Sequence, residues 1–113
     1  MTIIVFTILA LAAADAVSAA QERITMTGPA WVPPLIRRLA VCETHGNPQH
    51  QAGVYGGIVG WYVGTWQLDR YAGMPRYPWN ATLRQQVRVA VRSVNRGRYF
   101  GCLHGPEHQW VRG

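Results

Sequence analysis

The chain has 113 residues, eleven Arg and no Lys against five acids, for a formal net charge of +6. That length holds one small domain with a modest core and excludes a multidomain machine. A pI of 10.2 calls for a polyanionic partner, either nucleic acid or an anionic cell wall or membrane surface.

Met1 to Ala20 is an apolar run (Ile3, Ile4, Val5, Phe6, Ile8, Leu9, Leu11) closing on the small residues Val17-Ser18-Ala19-Ala20. It reads as a secretory signal peptide and is set apart from the fold. No Lys or Arg precedes the run and Asp15 interrupts its end, so an uncleaved anchor is the alternative, although the run is short for a span. Export favours the wall over nucleic acid as partner and places the protein outside the cell or on its wall. Without this segment the charge is +7, eleven Arg against Glu22, Glu43, Asp69 and Glu107. Residues 21–30 are polar, end in Gly28-Pro29 and read as a flexible lead-in. Trp31 then opens the domain.

A helix is expected from Pro33 to Thr44, with the prolines in its first turn, where a missing N–H costs little. It carries Leu35, Ile36, Leu39 and Cys42 inward and Arg37 and Arg38 outward. Glu43 falls three and then four residues after Ile36 and Leu39, on the apolar stripe. Burial disfavours a charged carboxyl, the condition under which a glutamate holds and donates a proton near neutral pH. The structural alternative is a half-buried carboxylate satisfied by a backbone group. Gly46 and Asn47 are expected to stop the helix.

From Asn47 to Gly64 the composition turns to Gly, Tyr, Val and Trp, which argues for a loop with a short hairpin. Tyr55 and Trp61, interleaved with glycine, suit stacking on the apolar face of a sugar ring or filling of a core. Thr65 is expected to cap a short helix from Trp66 to about Tyr71, ended by Gly73 and Pro75. Asp69 lies on it, with Arg70 or Arg76 as its expected partner. A Pro-rich aromatic loop follows, Met74 to Asn80. The clearest helix spans Thr82 to Arg96: Thr82 and Gln85 fit a capping box, Leu83, Val87, Ala90, Val91 and Val94 recur at helical spacing, and Gly97 lies just past its end. Arg84, Arg88, Arg92 and Arg96 form a ladder opposite, expected to be a solvated face or one turned to an anionic polymer. Asn80-Ala81-Thr82 is a formal glycosylation sequon that helix initiation already explains.

Two cysteines, Cys42 and Cys102, form an even pair that in an exported chain normally means a disulfide. Closing a loop of about sixty residues would contribute about 4 kcal/mol on the chain-entropy estimate. A metal site built from Cys42, His45, Cys102, His104 and His108 is the competing arrangement, but the spacings fit no regular zinc pattern. No metal and no cofactor is expected.

Three blocks together resemble the catalytic domain of the resuscitation-promoting factors and related actinobacterial and phage transglycosylase-like domains, a lysozyme-like family acting on peptidoglycan. They are Leu39-Ala40-Val41-Cys42-Glu43-Thr44-His45-Gly46-Asn47, then Tyr55-Gly56-Gly57-Ile58-Val59-Gly60-Trp61 leading to Thr65-Trp66, then Ala81-Thr82-Leu83-Arg84-Gln85-Gln86-Val87. The resemblance covers roughly Trp31 to Cys102. It implies that Glu43 is the catalytic acid, that Thr65 and Trp66 stand at the substrate cleft, and that Cys42 and Cys102 are the family's disulfide pair; on the sugar-stacking reading Tyr55 and Trp61 join the substrate-binding residues. Gly60 stands where many members carry glutamine, and His45 replaces a small residue.

The expected fold is accordingly α+β and mostly α: a small lysozyme-like domain over 31–102 with a short Gly-rich hairpin or loop region, one disulfide and a C-terminal tail, 103–113. The expected activity is cleavage of the MurNAc-GlcNAc β-1,4 bond by a single glutamate, as a lytic transglycosylase acting as a monomer on peptidoglycan glycan strands. Nucleic acid is not an expected partner. The alternative is a non-catalytic wall- or glycan-binding module of the same fold.

Overall fold

The computed structural model describes residues 22–106; the leader expected over 1–20 and the tail from 107 onward lie outside them. The described residues run α1 (Pro34–Thr44), β1 (Gln51–Ala52), β2 (Tyr55–Gly56), β3 (Trp61–Tyr62), α2 (Val63–Asp69), α3 (Leu83–Asn95) and α4 (Gly101–His104), with a 3-10 turn at Pro78–Asn80. The fold is α+β and mostly helical. No helix among the described residues is long and apolar enough to cross a membrane.

α1 starts on Pro33 with Pro34 in its first turn and buries Ile36, Leu39, Ala40 and Thr44. It ends at Thr44 as expected, but the stop is made by His45 ahead of Gly46: His45 takes a left-handed conformation with φ 56°. The amides of His45 and Gly46 return to the carbonyls of Val41 and Ala40, each at 3.0 Å, which satisfies the helix's last acceptors. Gly46 follows at φ 74°, and any side chain there would collide with the backbone of Ile24. Glycine is therefore required at this position by approach as well as by conformation.

That close approach overturns the expectation of a flexible lead-in. Ile24 is 1% exposed, and its N–H donates to the Gly46 carbonyl at 2.9 Å. Thr25 and Gly28 pair across a tight turn, so the segment joins the domain well before Trp31. Ile24 and the exposed Met26 are too few apolar residues in a polar stretch to set up a periodicity that announces which one is buried.

The glycine-rich stretch forms a three-stranded antiparallel sheet in the order β1-β2-β3, with Ala52 opposite Tyr55, Tyr55 opposite Tyr62 and Gly56 opposite Trp61. β3 runs directly into α2, whose N-cap is Tyr62, so Thr65 lies within the first turn and is not the expected cap. The Val63 amide finds its acceptor in the Val54 carbonyl at 2.9 Å, which removes the need for a capping side chain. α2 ends at Asp69, ahead of the expected Tyr71.

α3 carries the expected capping box, Thr82 Oγ1 accepting from the Gln85 amide while Gln85 Oε1 accepts from the Thr82 amide. Leu83, Val87 and Ala90 are buried as its spacing predicts, with Val91 and Val94 partly so; Gln86, Val89 and Ser93 are buried as well. Gln86 holds three groups at once. Its Oε1 accepts from the Ile58 amide at 2.8 Å, and its Nε2 donates to the carbonyls of Pro48 at 2.8 Å and Ala81 at 3.1 Å.

The arginine ladder is not a plain solvated face. Arg84 lies over the Trp31 ring at 4.3 Å, and Arg88 and Arg92 lie against the Tyr71 ring at 3.8 and 4.2 Å. Arg96 pairs with Asp69 at 2.8 Å. Beyond α3 the chain turns back to α1, and the short helix α4, unforeseen in the sequence, is fastened there by the Cys42–Cys102 disulfide. The bridged pair closes the expected loop and takes both sulfurs away from any metal.

Candidate active site

Glu43 stands in the last turn of α1, one residue after the bridged Cys42 and one before Thr44. Thr44 is buried and donates its hydroxyl to the Ile58 carbonyl at 2.7 Å, which holds this helix end against the loop between β2 and β3. On the other side α4 supplies a donor: the Cys102 N–H reaches Glu43 Oε1 at 2.8 Å. Glu43 is half-buried, as its place on the stripe predicts.

Two glycines flank that carboxyl. A β-carbon on Gly60 would stand 3.6 Å from Oε2, and one on Gly101 would stand 3.6 Å from Oε1. Gly60 has φ 66°, a conformation L residues rarely take, so the side of Oε2 carries no side chain from this position. Gly60 is also where a groove of about 190 Å³ begins, lined by Tyr55, Gly60, Trp61, Tyr62, Thr65, Arg98, Tyr99 and Phe100. The groove lies between the sheet and the segment leading into α4.

Of the residues expected at a substrate cleft, the structure brings Tyr55, Trp61 and Thr65 together on this groove, next to Glu43. Tyr55 is exposed and tilted against Tyr62 with ring centroids 6.0 Å apart. Trp61 is 1% exposed and donates its Nε1–H to Ser93 Oγ at 3.1 Å. Trp66 does not join them at the surface. It is fully buried, packed edge-on to Trp61 at 4.8 Å, and it donates to the Pro75 carbonyl at 2.9 Å. Its place is under the groove, supporting Trp61.

Asp69 is the other carboxyl group near this region, and its partners differ from those expected. Arg70 donates instead to the Met74 carbonyl, and Arg76 lies near the Tyr77 ring. Asp69 is 0% exposed and accepts from Ser93 at 2.6 Å, Arg96 at 2.8 Å and Arg98 at 2.8 to 3.3 Å. Burial pushes its carboxyl up, but the hydrogen bonds from Arg98, Ser93 and Arg96 outweigh burial and bring it down from 3.8 to about 2. It is a fixed anion that anchors Arg98 in the groove wall and, through Ser93, steadies Trp61. Its role is positioning.

Tyr62, Arg98, Tyr99 and Phe100 line the groove without having been singled out in the sequence. Tyr62 follows Trp61 in a strand, so alternation turns one ring in and the other out. Arg98 to Phe100 come from a turn some forty residues away, and nothing local marks them. No family model, curated protein or solved structure matches the chain.

Proposed function

We propose that the chain is a secreted peptidoglycan-cleaving enzyme that cuts the MurNAc-GlcNAc β-1,4 bond as a lytic transglycosylase, on a lysozyme-like fold, with Glu43 as its one catalytic carboxyl group. The observation that carries this is the position of Glu43: half-buried at a helix end, held through Oε1 by the Cys102 amide, with Oε2 turned to Gly60 at the end of an aromatic groove. The order of elements supports the fold assignment, a glutamate ending the first helix and a small antiparallel sheet following it.

Among the described residues, the supply of carboxylates favours transglycosylation over two-carboxylate hydrolysis. Glycosidases of the usual kind need a second Asp or Glu about 5 to 10 Å from the first. Asp69 is committed to two guanidiniums and a hydroxyl, and Glu22 lies in the lead-in. One glutamate suffices if the substrate supplies the rest. Glu43 Oε2 donates its proton to the glycosidic oxygen as the bond to C1 breaks. The carbonyl oxygen of the muramic N-acetyl group stabilises the cation at C1. Glu43, now a carboxylate, takes the proton of the C6 hydroxyl while that oxygen bonds to C1, which closes the 1,6-anhydro ring and restores the acid. Tyr55, Tyr62 and Tyr99 offer ring faces for the sugars, and Thr65 offers a hydroxyl.

A glycan-binding module is the second reading, because a carboxylate gripping the Cys102 amide also ties α4 to α1 with no chemistry required. Mass spectrometry of soluble products after incubation with purified peptidoglycan separates the two. Anhydromuramyl products from the parent and none from Glu43→Gln support the transglycosylase. Reducing-end muramic acid means hydrolysis at the same site. Sedimentation with the wall and no products at all leaves the binding module.

A further inference from the structure

A second groove, of about 340 Å³, shares no residue with the first. It is lined by Tyr71, Ala72, Gly73, Met74, Arg84, Gln85 and Arg88. Its two cations are both exposed and neither forms an ion pair or hydrogen bond with a described residue; each guanidinium is instead laid on an aromatic ring, Arg84 on Trp31 and Arg88 on Tyr71. Stacking fixes the planes and leaves the N–H edges to an outside acceptor. Arg84 also stands in the first turn of α3, where no acidic residue offsets it and the helix dipole opposes a cation. An anion bound there relieves that conflict.

We infer that this groove is a phosphate-binding site for a linear, base-free phosphodiester polymer of the cell surface. Two planar forks one helical turn apart suit successive tetrahedral phosphates on one strand. The one ring that lines the groove, Tyr71, already carries two guanidiniums, those of Arg88 and Arg92, so a nucleobase finds no stacking platform there of the kind single-strand binders provide. The choice of a wall polymer rests on the wall-directed function proposed above; the phosphate chemistry does not.

The test measures binding of the oxidised protein to poly(glycerol phosphate), to phosphate-free glycan strands and to single-stranded DNA of equal phosphate number. The double variant Arg84→Gln/Arg88→Gln should bind poly(glycerol phosphate) about tenfold more weakly, and its log K against log salt slope should be shallower by about 1.4, two contacts at about 0.7 each. Arg84→Lys/Arg88→Lys should keep the slope and lose affinity, because it keeps charge and loses the planar fork. Both variants should stay folded, with melting temperatures within a few degrees of the parent's, because the lost ring stacking and the relieved dipole conflict are each small. Unchanged affinity in the Gln variant overturns the site, and DNA bound as tightly as poly(glycerol phosphate) overturns the base-free polymer. Cleavage of phosphate-free strands is scored separately: equal cleavage by parent and Gln variant is expected, and absence of cleavage in both counts against the enzyme and not against this site.

Discussion

The amide of Cys102 lies 2.8 Å from Oε1 of Glu43, so the residue bridged to Cys42 also grips the carboxyl group beside Cys42. Chain crosslink and site geometry are one structure. The variant Cys42→Ala/Cys102→Ala should lose about 4 kcal/mol of stability, the entropy of a loop of about sixty residues. Guanidinium unfolding measures that loss. Activity should fall further than stability in conditions where the variant is still folded, because α4 no longer holds its amide on Glu43.

Glu43→Gln should reduce cleavage by at least about 100-fold, the usual contribution of a general acid. Unfolding midpoint and wall binding should stay near the parent's, since the amide oxygen of Gln still accepts from Cys102. Glu43→Asp tests reach: withdrawing the carboxyl by one methylene should abolish cleavage as thoroughly.

Asp69 makes stability depend on acid. Its folded value near 2 lies below the 3.8 of an ordinary Asp, so the group stabilises the fold above pH 4 by about 2 kcal/mol and loses that contribution as pH falls through 2. Urea midpoints at pH 6 and pH 2 should therefore differ by more in the parent than in Asp69→Asn. The variant should be weaker at pH 6 by at least about 2 kcal/mol, because two guanidiniums lose their anion. Equal pH dependence in both proteins would contradict this account.

Gly60→Ala adds one carbon 3.6 Å from Glu43 Oε2 at a position of positive φ. Strain should cost about 1 kcal/mol in unfolding measurements. Steady-state assays should show kcat/KM down about tenfold or more, beyond what a folded fraction near unity explains.

Gln86→Leu should destabilise by about 3 kcal/mol in thermal or urea unfolding, since it strands the Ile58 amide and the Pro48 and Ala81 carbonyls inside the core. A loss under 1 kcal/mol would mean the loops rearrange to satisfy themselves.

What could be read in advance followed from local rules. The α3 capping box and apolar spacing, the proline start of α1 and the half-burial of Glu43 are all set within a few residues, and the structure has them. Thr65 misled because a polar residue before an apolar run resembles a cap, whereas here the turn between β1 and β2 supplies the acceptor at Val54. Asp69 misled through proximity in sequence: Arg70 and Arg76 are near it along the chain, but Arg96 and Arg98 meet it in space. Arg98, Tyr99 and the Cys102 amide reach the groove only because the chain folds back after α3. The cysteine pair announces that the chain returns to α1, but no pattern within a window of residues says which side chains the return brings to the groove.

The pairing of Ile24 with Gly46 sets where the protein can be shortened or joined to something else. Signal cleavage after Ala20 would leave three residues ahead of Ile24, whose amide holds the loop that leaves Glu43. A tag or fusion partner attached before residue 21 keeps Ile24 and its amide within the chain. A protease that trims four residues further removes the peg, and with it the support behind the helix end that carries the carboxyl group.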